Sequence, residues 1–214
     1  IADLCKAVRN VGRDTMGKRA QVNAGVSTFV PKPHTPFQWV SCDSIEQIRA
    51  KQELLRSELR GKGLKLSWNN PLETQLEAWL SRGDRRMSEV IYQAWKNGAK
   101  FDAWREFFNY EAWQAAFAAT VLEPEFYTHR QRPLDEVFPW EHLSTTVRKT
   151  FLTQDYLWSL DGRTRIDCRE QCFACGILPT FANLRREHPG EEWKCPEVKN
   201  KRVAVRREQE AVSG

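Results

Sequence analysis

Nowhere in the 214 residues is there a run approaching the roughly 18 consecutive apolar residues that a membrane-spanning helix needs. The chain starts at Ile1, and no basic–apolar–small pattern follows, so no secretory signal is read. The expectation from that start is a removed propiece or, more interestingly, a sequence taken from inside a longer chain. Glycine (11) and proline (10) are too few for a collagenous or low-complexity chain, and 41% hydrophobic with 29% charged residues is ordinary for a folded protein. Charge of one sign is also scarce. Thirty-three Lys and Arg against 28 Asp and Glu leave only +5. A nucleic-acid surface concentrates its excess in one place. The one visible concentration is the terminal stretch 199–207, with Lys201, Arg202 and Arg206, which reads as a basic, solvated tail.

Aromatic residues are not scarce. Nine tryptophans stand at 39, 68, 79, 95, 104, 113, 140, 158 and 193, spread along the chain. Spread aromatics are expected to be core, here of a helical body.

The six cysteines are uneven. Cys5 and Cys42 stand alone, whereas Cys168, Cys172, Cys175 and Cys195 fall within 28 residues. A secreted disulfide framework would distribute them through a smaller chain, so the expected location is the cytoplasm. Three thiolates at i, i+4 and i+7 can face one centre across a tight turn, and soft thiolate sets select zinc or iron–sulfur clusters. Cys195, held out of helix by the following Pro196, is the candidate fourth ligand. The competing reading is structural zinc, held by all four cysteines or by three of them with His188. Zinc ribbons use paired C-x2-C knuckles, and only Cys172/Cys175 forms one, which favours an iron–sulfur cluster of the four-iron kind.

Local patterns predict a mainly α chain with a β–α piece at its N-terminus. Apolar positions Leu4, Ala7, Val8 and Val11 mark a first helix. The β-branched run 21–30 reads as a buried strand stopped by Pro31, Pro33 and Pro36. Ser44 and Gln47 have capping-box spacing before a helix that ends at Gly61, and 64–68 alternates as a short strand. Pro71 after Asn70 opens the next helix, Asp84 caps another, Asp102 starts a third, and a last helix covers about 143–159.

The run Val26-Ser27-Thr28-Phe29-Val30-Pro31-Lys32-Pro33-His34-Thr35-Pro36-Phe37-Gln38-Trp39 resembles the last barrel strand and exit loop of bacterial radical S-adenosylmethionine (radical SAM) proteins that carry a cobalamin-binding domain. Further on, Gly83-Asp84-Arg85-Arg86, Phe101-Asp102-Ala103-Trp104, Pro139-Trp140 and Asp167-Cys168-Arg169 with Cys172 and Cys175-Gly176 are similar too. The resemblance covers roughly residues 1–178. It implies that 1–40 holds the final helix, strand and exit loop of a partial TIM-like barrel. A helical C-terminal domain (41–166), a Cys-rich metal or cluster segment (167–198) and a flexible basic tail (199–214) would follow.

The catalytic cluster, S-adenosylmethionine site and cobalamin domain would lie upstream, as partners within the same protein. Cys168, Cys172 and Cys175 have the C-x3-C-x2-C spacing of the radical SAM signature. They stand too late in the chain, however, and Ala174 replaces the usual aromatic before the last cysteine. They are therefore expected to hold an auxiliary cluster. Members of the family often add a cysteine after Cys-Gly, whereas Ile177-Leu178-Pro179 stands here, which leaves the fourth ligand open. Val26, Ser27, Thr28 and Phe29 would lie beside the adenosine of the cofactor. Lys32 and His34, at the mouth of the barrel, and Arg85 and Arg86, as a phosphate clamp, are the candidate substrate contacts. For each there is a plainer reading, a rigid linker for the first pair and a surface pair for the second. His129, His142 and His188 read as ordinary loop or helix-start residues. No catalytic residue is assigned. The substrate is not read from the sequence; analogy with related enzymes that modify RNA or ribosomal protein points to RNA or a ribosomal component. The rival function is a non-catalytic helical module with a structural zinc site that binds RNA or a protein.

Overall fold

The computed structural model describes residues 1–190 and Cys195. The elements are α1 (Ala2–Met16), β1 (Val22–Val26), α2 (Ile45–Glu58), β2 (Leu64–Trp68), α3 (Pro71–Arg82), α4 (Met87–Lys96), α5 (Tyr110–Thr120), α6 (Pro124–Thr128), α7 (Lys149–Leu160), α8 (Ile177–Thr180) and α9 (Ala182–Glu187). The fold is mainly helical with a two-stranded parallel sheet among the described residues. No helix there is long and apolar enough to cross a membrane.

Packing divides the chain into two compact units that interleave along the sequence. One is Ile1–Lys32 with Val40–Arg132. The other is Pro33–Trp39 with the described residues from Pro133 onward. The expected segments 1–40, 41–166 and 167–198 follow sequence patterning instead, and 199–214 lies outside the described residues.

In the first unit β1 and β2 pair in parallel, Val22 opposite Leu64 through Val26 opposite Trp68. A parallel pair requires a crossover, and α2 lies within it. Ser44 Oγ accepts from Gln47 N–H at 3.3 Å while the Gln47 side chain accepts from Ser44 N–H at 2.8 Å, closing the expected capping box. α1 packs against both strands, yet no residue of it is buried, and Leu4, Val8 and Val11 on its surface stay more than half exposed. The core is elsewhere. Leu76 and Trp79 of α3, Met87, Val90 and Ala94 of α4, and Trp113, Ala116 and Phe117 of α5 form one cluster with Tyr127. Trp79 is central, stacked on Tyr110 and edge-on to Phe117 at 4.7 Å between centroids.

In the second unit Trp39 is fully buried against Phe138 and Tyr156. Trp140 stacks on Phe138 at 4.8 Å and donates its indole N–H to Gln38 Oε1 at 2.9 Å. The expectation of tryptophans in the core thus holds for residues 39, 79, 113 and 140. It fails for Trp95 and Trp104, each 55% exposed.

Two helices begin later than their patterns predict. The helix expected from Asp102 starts at Tyr110, where Asn109 Oδ1 accepts from Ala112 N–H at 3.0 Å. Asp102 instead uses its carboxylate on Asn109 N–H (3.1 Å), and Phe101 takes φ 58°, so 101–107 folds as successive turns. The last helix starts at Lys149, not near Leu143. Ser144 Oγ accepts from Thr146 N–H at 3.2 Å and Thr146 has φ 68°, a left-handed step that no helix can include.

Candidate metal centre

The turn around Cys172 is built as a thiolate site is built. Ala174 N–H points at Cys172 Sγ at 3.5 Å. Ala174 has φ 56° and Gly176 φ 114°, so two left-handed residues flank Cys175 and reverse the chain. Gly176 is required for a second reason. A Cβ there would stand 2.7 Å from Thr146 O and 2.8 Å from Arg148 Cγ, closer than packing permits.

Two contacts fasten this turn to α7. Arg148, the residue just before α7, donates its N–H to Cys175 O at 2.9 Å. The side chain of Phe173, between the two cysteines, lies under the Arg165 guanidinium at 4.7 Å. The same cation covers Phe151 (4.7 Å) and Trp158 (4.2 Å) of α7. Arg165 is held by Asp155 and Gln154 and is mostly buried.

The sequence-predicted ligands Cys168, Cys172 and Cys175 are reduced, with Cys168 exposed and the other two half-buried. Cys195 is exposed, yet its thiol is pushed up. Loss of solvation comes first, then the charge and hydrogen bond of Cys172, then Cys175 and Cys168. A thiol that responds to all three others shares their neighbourhood. Among the described residues, no three His, Cys, Asp or Glu groups stand together in ligand geometry. Cysteine sulfur is the soft donor type that a thiophilic metal or cluster takes. His188, the alternative ligand, closes α9 with its N–H on Leu184 O at 2.8 Å.

The other expected site residues are distributed over both units. Val26 ends β1 opposite Trp68, and Ser27, Thr28 and Phe29 follow it outside the strand. Thr28 and Phe29 line a shallow crevice of about 10 Å³ with Cys42, Ile45, Gln75 and His129. The C-terminal end of a parallel strand is where α/β sheets place ligands. Burial raises the Cys42 thiol there, with the nearby Arg82 and Arg132 charges opposing it. His129 is engaged on both ring nitrogens, 3.2 Å from Cys42 O and 3.4 Å from Gln75 Nε2. Lys32 pairs with Glu77 at 2.5 Å. Arg86 is taken up by Asp84, whose two oxygens accept from its backbone and guanidinium at 2.7–3.1 Å, and Arg85 is exposed. His142 Nδ1 lies 2.9 Å from Pro139 O.

His34 belongs to the second unit and lines an open cleft there with Gln38, Trp140, Glu141, Ser144, Thr145 and Lys149. Its φ is 56°, its N–H donates to Gln38 Oε1 at 3.1 Å, and its buried Nε2 has no hydrogen-bond partner.

Two arginines that sequence reasoning passed over are the most enclosed cations described. Arg82 is 0% exposed and Arg132 2%. Arg82 donates to Tyr127 O and Pro31 O, both at 3.2 Å, and Arg132 to Arg82 O at 3.1 Å. The signal was present. Gln75, Ala78, Trp79 and Arg82 all lie on the buried stripe of α3.

In comparisons with protein-family models, with curated proteins and with solved structures, nothing matches the chain.

Proposed function

We propose that this chain is the C-terminal part of a radical SAM enzyme whose Cys168, Cys172, Cys175 and Cys195 hold an auxiliary iron–sulfur cluster. The observation that carries the reading is the Cys172–Gly176 turn, with its N–H on sulfur and its two left-handed residues. Ala174, a non-glycine residue at φ 56°, carries backbone strain of the kind that gathers at functional sites. The motif resemblance supplies the enzyme class, and the N-terminal unit is compatible with it. Parallel sheets are covered on both faces, and a lone parallel pair is marginal. Here β1–β2 has open edges and α1 shows a bare Leu4–Val8–Val11 stripe, both of which a continuing β/α barrel would cover.

On this reading Val26–Phe29 lie beside the adenosine, and Lys32, His34, Arg85 and Arg86 belong to the substrate side. S-adenosylmethionine would supply the radical chemistry, with cobalamin as a second cofactor of the upstream part and RNA or a ribosomal component as substrate. The thiolates of this chain would grip the auxiliary cluster and lock the tail to α7. The location that suits such oxygen-sensitive chemistry is the cytoplasm.

The same turn suits structural zinc in a non-catalytic helical module that binds RNA or a protein, and one experiment separates the two. The protein is purified anaerobically, and its iron, sulfide and zinc are measured beside its visible spectrum. Iron and sulfide with a brown colour support the cluster. One zinc without colour transfers the site to the rival reading.

A further inference from the structure

The cleft of the second unit has a chemistry of its own. It is open to solvent and has a volume of about 190 Å³. Four groups that donate hydrogen bonds line it. His34 presents an imidazole whose Nε2 is sealed from solvent and unpartnered. Lys149 spends two of its three N–H groups on Glu136 O and Glu141 Oε1. The hydroxyls of Ser144 and Thr145 complete the set. The one carboxylate among the described lining residues, Glu141, accepts from both Phe138 N–H (3.1 Å) and Lys149 on Oε1, and the Lys149 ammonium offsets its charge. Two residues of this wall region, His34 and Thr146, hold left-handed backbone, a strain found where a side chain must be aimed. A buried, unpaired imidazole nitrogen calls for a partner, and the N–H and O–H donors beside it call for an acceptor.

We propose that this cleft binds an oxyanion, the phosphate or carboxylate group of a substrate, between His34, Lys149 and the Ser144–Thr145 hydroxyls. The inference deepens the reading of His34 as a substrate contact and rests on it only for the substrate's class. Binding is read by calorimetry and not by turnover, so a failure here leaves the enzyme class untouched, and loss of the enzyme class leaves the cleft untouched.

The test titrates inorganic phosphate, and separately acetate, into the full chain at fixed ionic strength against a chloride control. Saturable binding of phosphate alone identifies a phosphate site, and saturable binding of both identifies a general oxyanion site. Losing one charge-assisted hydrogen bond is expected to weaken binding about tenfold, in Lys149→Met and in His34→Asn, where asparagine tolerates the left-handed backbone. Glu141→Gln removes the competing charge and frees Lys149, so it tightens binding. Should either of the first two variants fail to fold, exposed Thr145→Val replaces it and weakens binding. No saturable binding of either anion overturns the proposal. So does affinity indifferent to Lys149→Met, or affinity that falls in Glu141→Gln, the sign of a cationic ligand.

Discussion

Arg148 donates its backbone N–H to the carbonyl of Cys175 at 2.9 Å, tying the thiol-bearing turn to the first residues of α7. Immediately before that bond, Ser144, Thr145 and Val147 form the wall of the His34 cleft. The cysteine turn is therefore hydrogen-bonded to the segment that carries the cleft wall. Loading the thiols with metal is expected to shift the amide resonances of 144–149, measured by 1H–15N correlation spectra with and without a chelator. Unchanged resonances there would separate the two sites.

Gly176→Ala sets a Cβ against Thr146 O and Arg148 Cγ at a φ of 114°. The expected cost is about 2 kcal/mol, from strain of the kind that left-handed non-glycine backbone carries. Denaturant unfolding checks the loss, and metal analysis should show weaker retention than in the parent chain.

Arg165 holds Phe173, Phe151 and Trp158 at once and is paired with Asp155. Its planar cation serves three rings in a way that an ammonium does not. Arg165→Lys is expected to recover less than half of the roughly 2 kcal/mol lost in Arg165→Ala, measured by chemical denaturation.

Arg82→Met removes a buried guanidinium from Pro31 O and Tyr127 O and leaves both carbonyls without that donor. A loss of about 3 kcal/mol is expected, the range for breaking an enclosed charged network. Exposed Arg85→Met, three residues on, should change stability by less than about 0.5 kcal/mol.

These arginines show what sequence can and cannot disclose. Local signals placed α2 and α3 because their caps are made by neighbours a few residues away, Ser44 with Gln47 and Asn70 with Leu72, and β2 because its residues alternate. Starts decided by side-chain competition were misplaced. Asp102 and Ser144 bind backbone in turns, although each carries a helix-opening signature. The cysteine set was legible from spacing. The anchoring of Phe173 under Arg165 was not, since eight residues separate them and only the folded chain stacks them. Likewise, Arg85 and Arg86 drew attention as a pair, while the enclosed Arg82 and Arg132 lie fifty residues apart and meet only through tertiary packing.

Acid removes the stabilisation of carboxylates that guanidiniums and ammoniums hold down. Hydrogen bonding to Arg86 keeps Asp84 below the ordinary aspartate range. A carboxyl lowered by folding stabilises above its unfolded value and loses that contribution as pH falls through its folded one. The contribution of Asp84 is therefore present at neutral pH and fades below about pH 4. Asp84→Asn should be less stable at pH 7 by under about 1 kcal/mol, because the Arg86 partner is exposed, and the deficit should vanish at low pH. Urea titrations at neutral and acidic pH measure both.

The most direct measurement is metal and sulfide content of anaerobically purified chain, in the parent and in Cys168→Ala, Cys172→Ala, Cys175→Ala and Cys195→Ala. The account predicts iron and sulfide in the parent, lost or sharply reduced in each variant with the visible colour. A parent chain without bound metal, or metal content unchanged across all four variants, would contradict it.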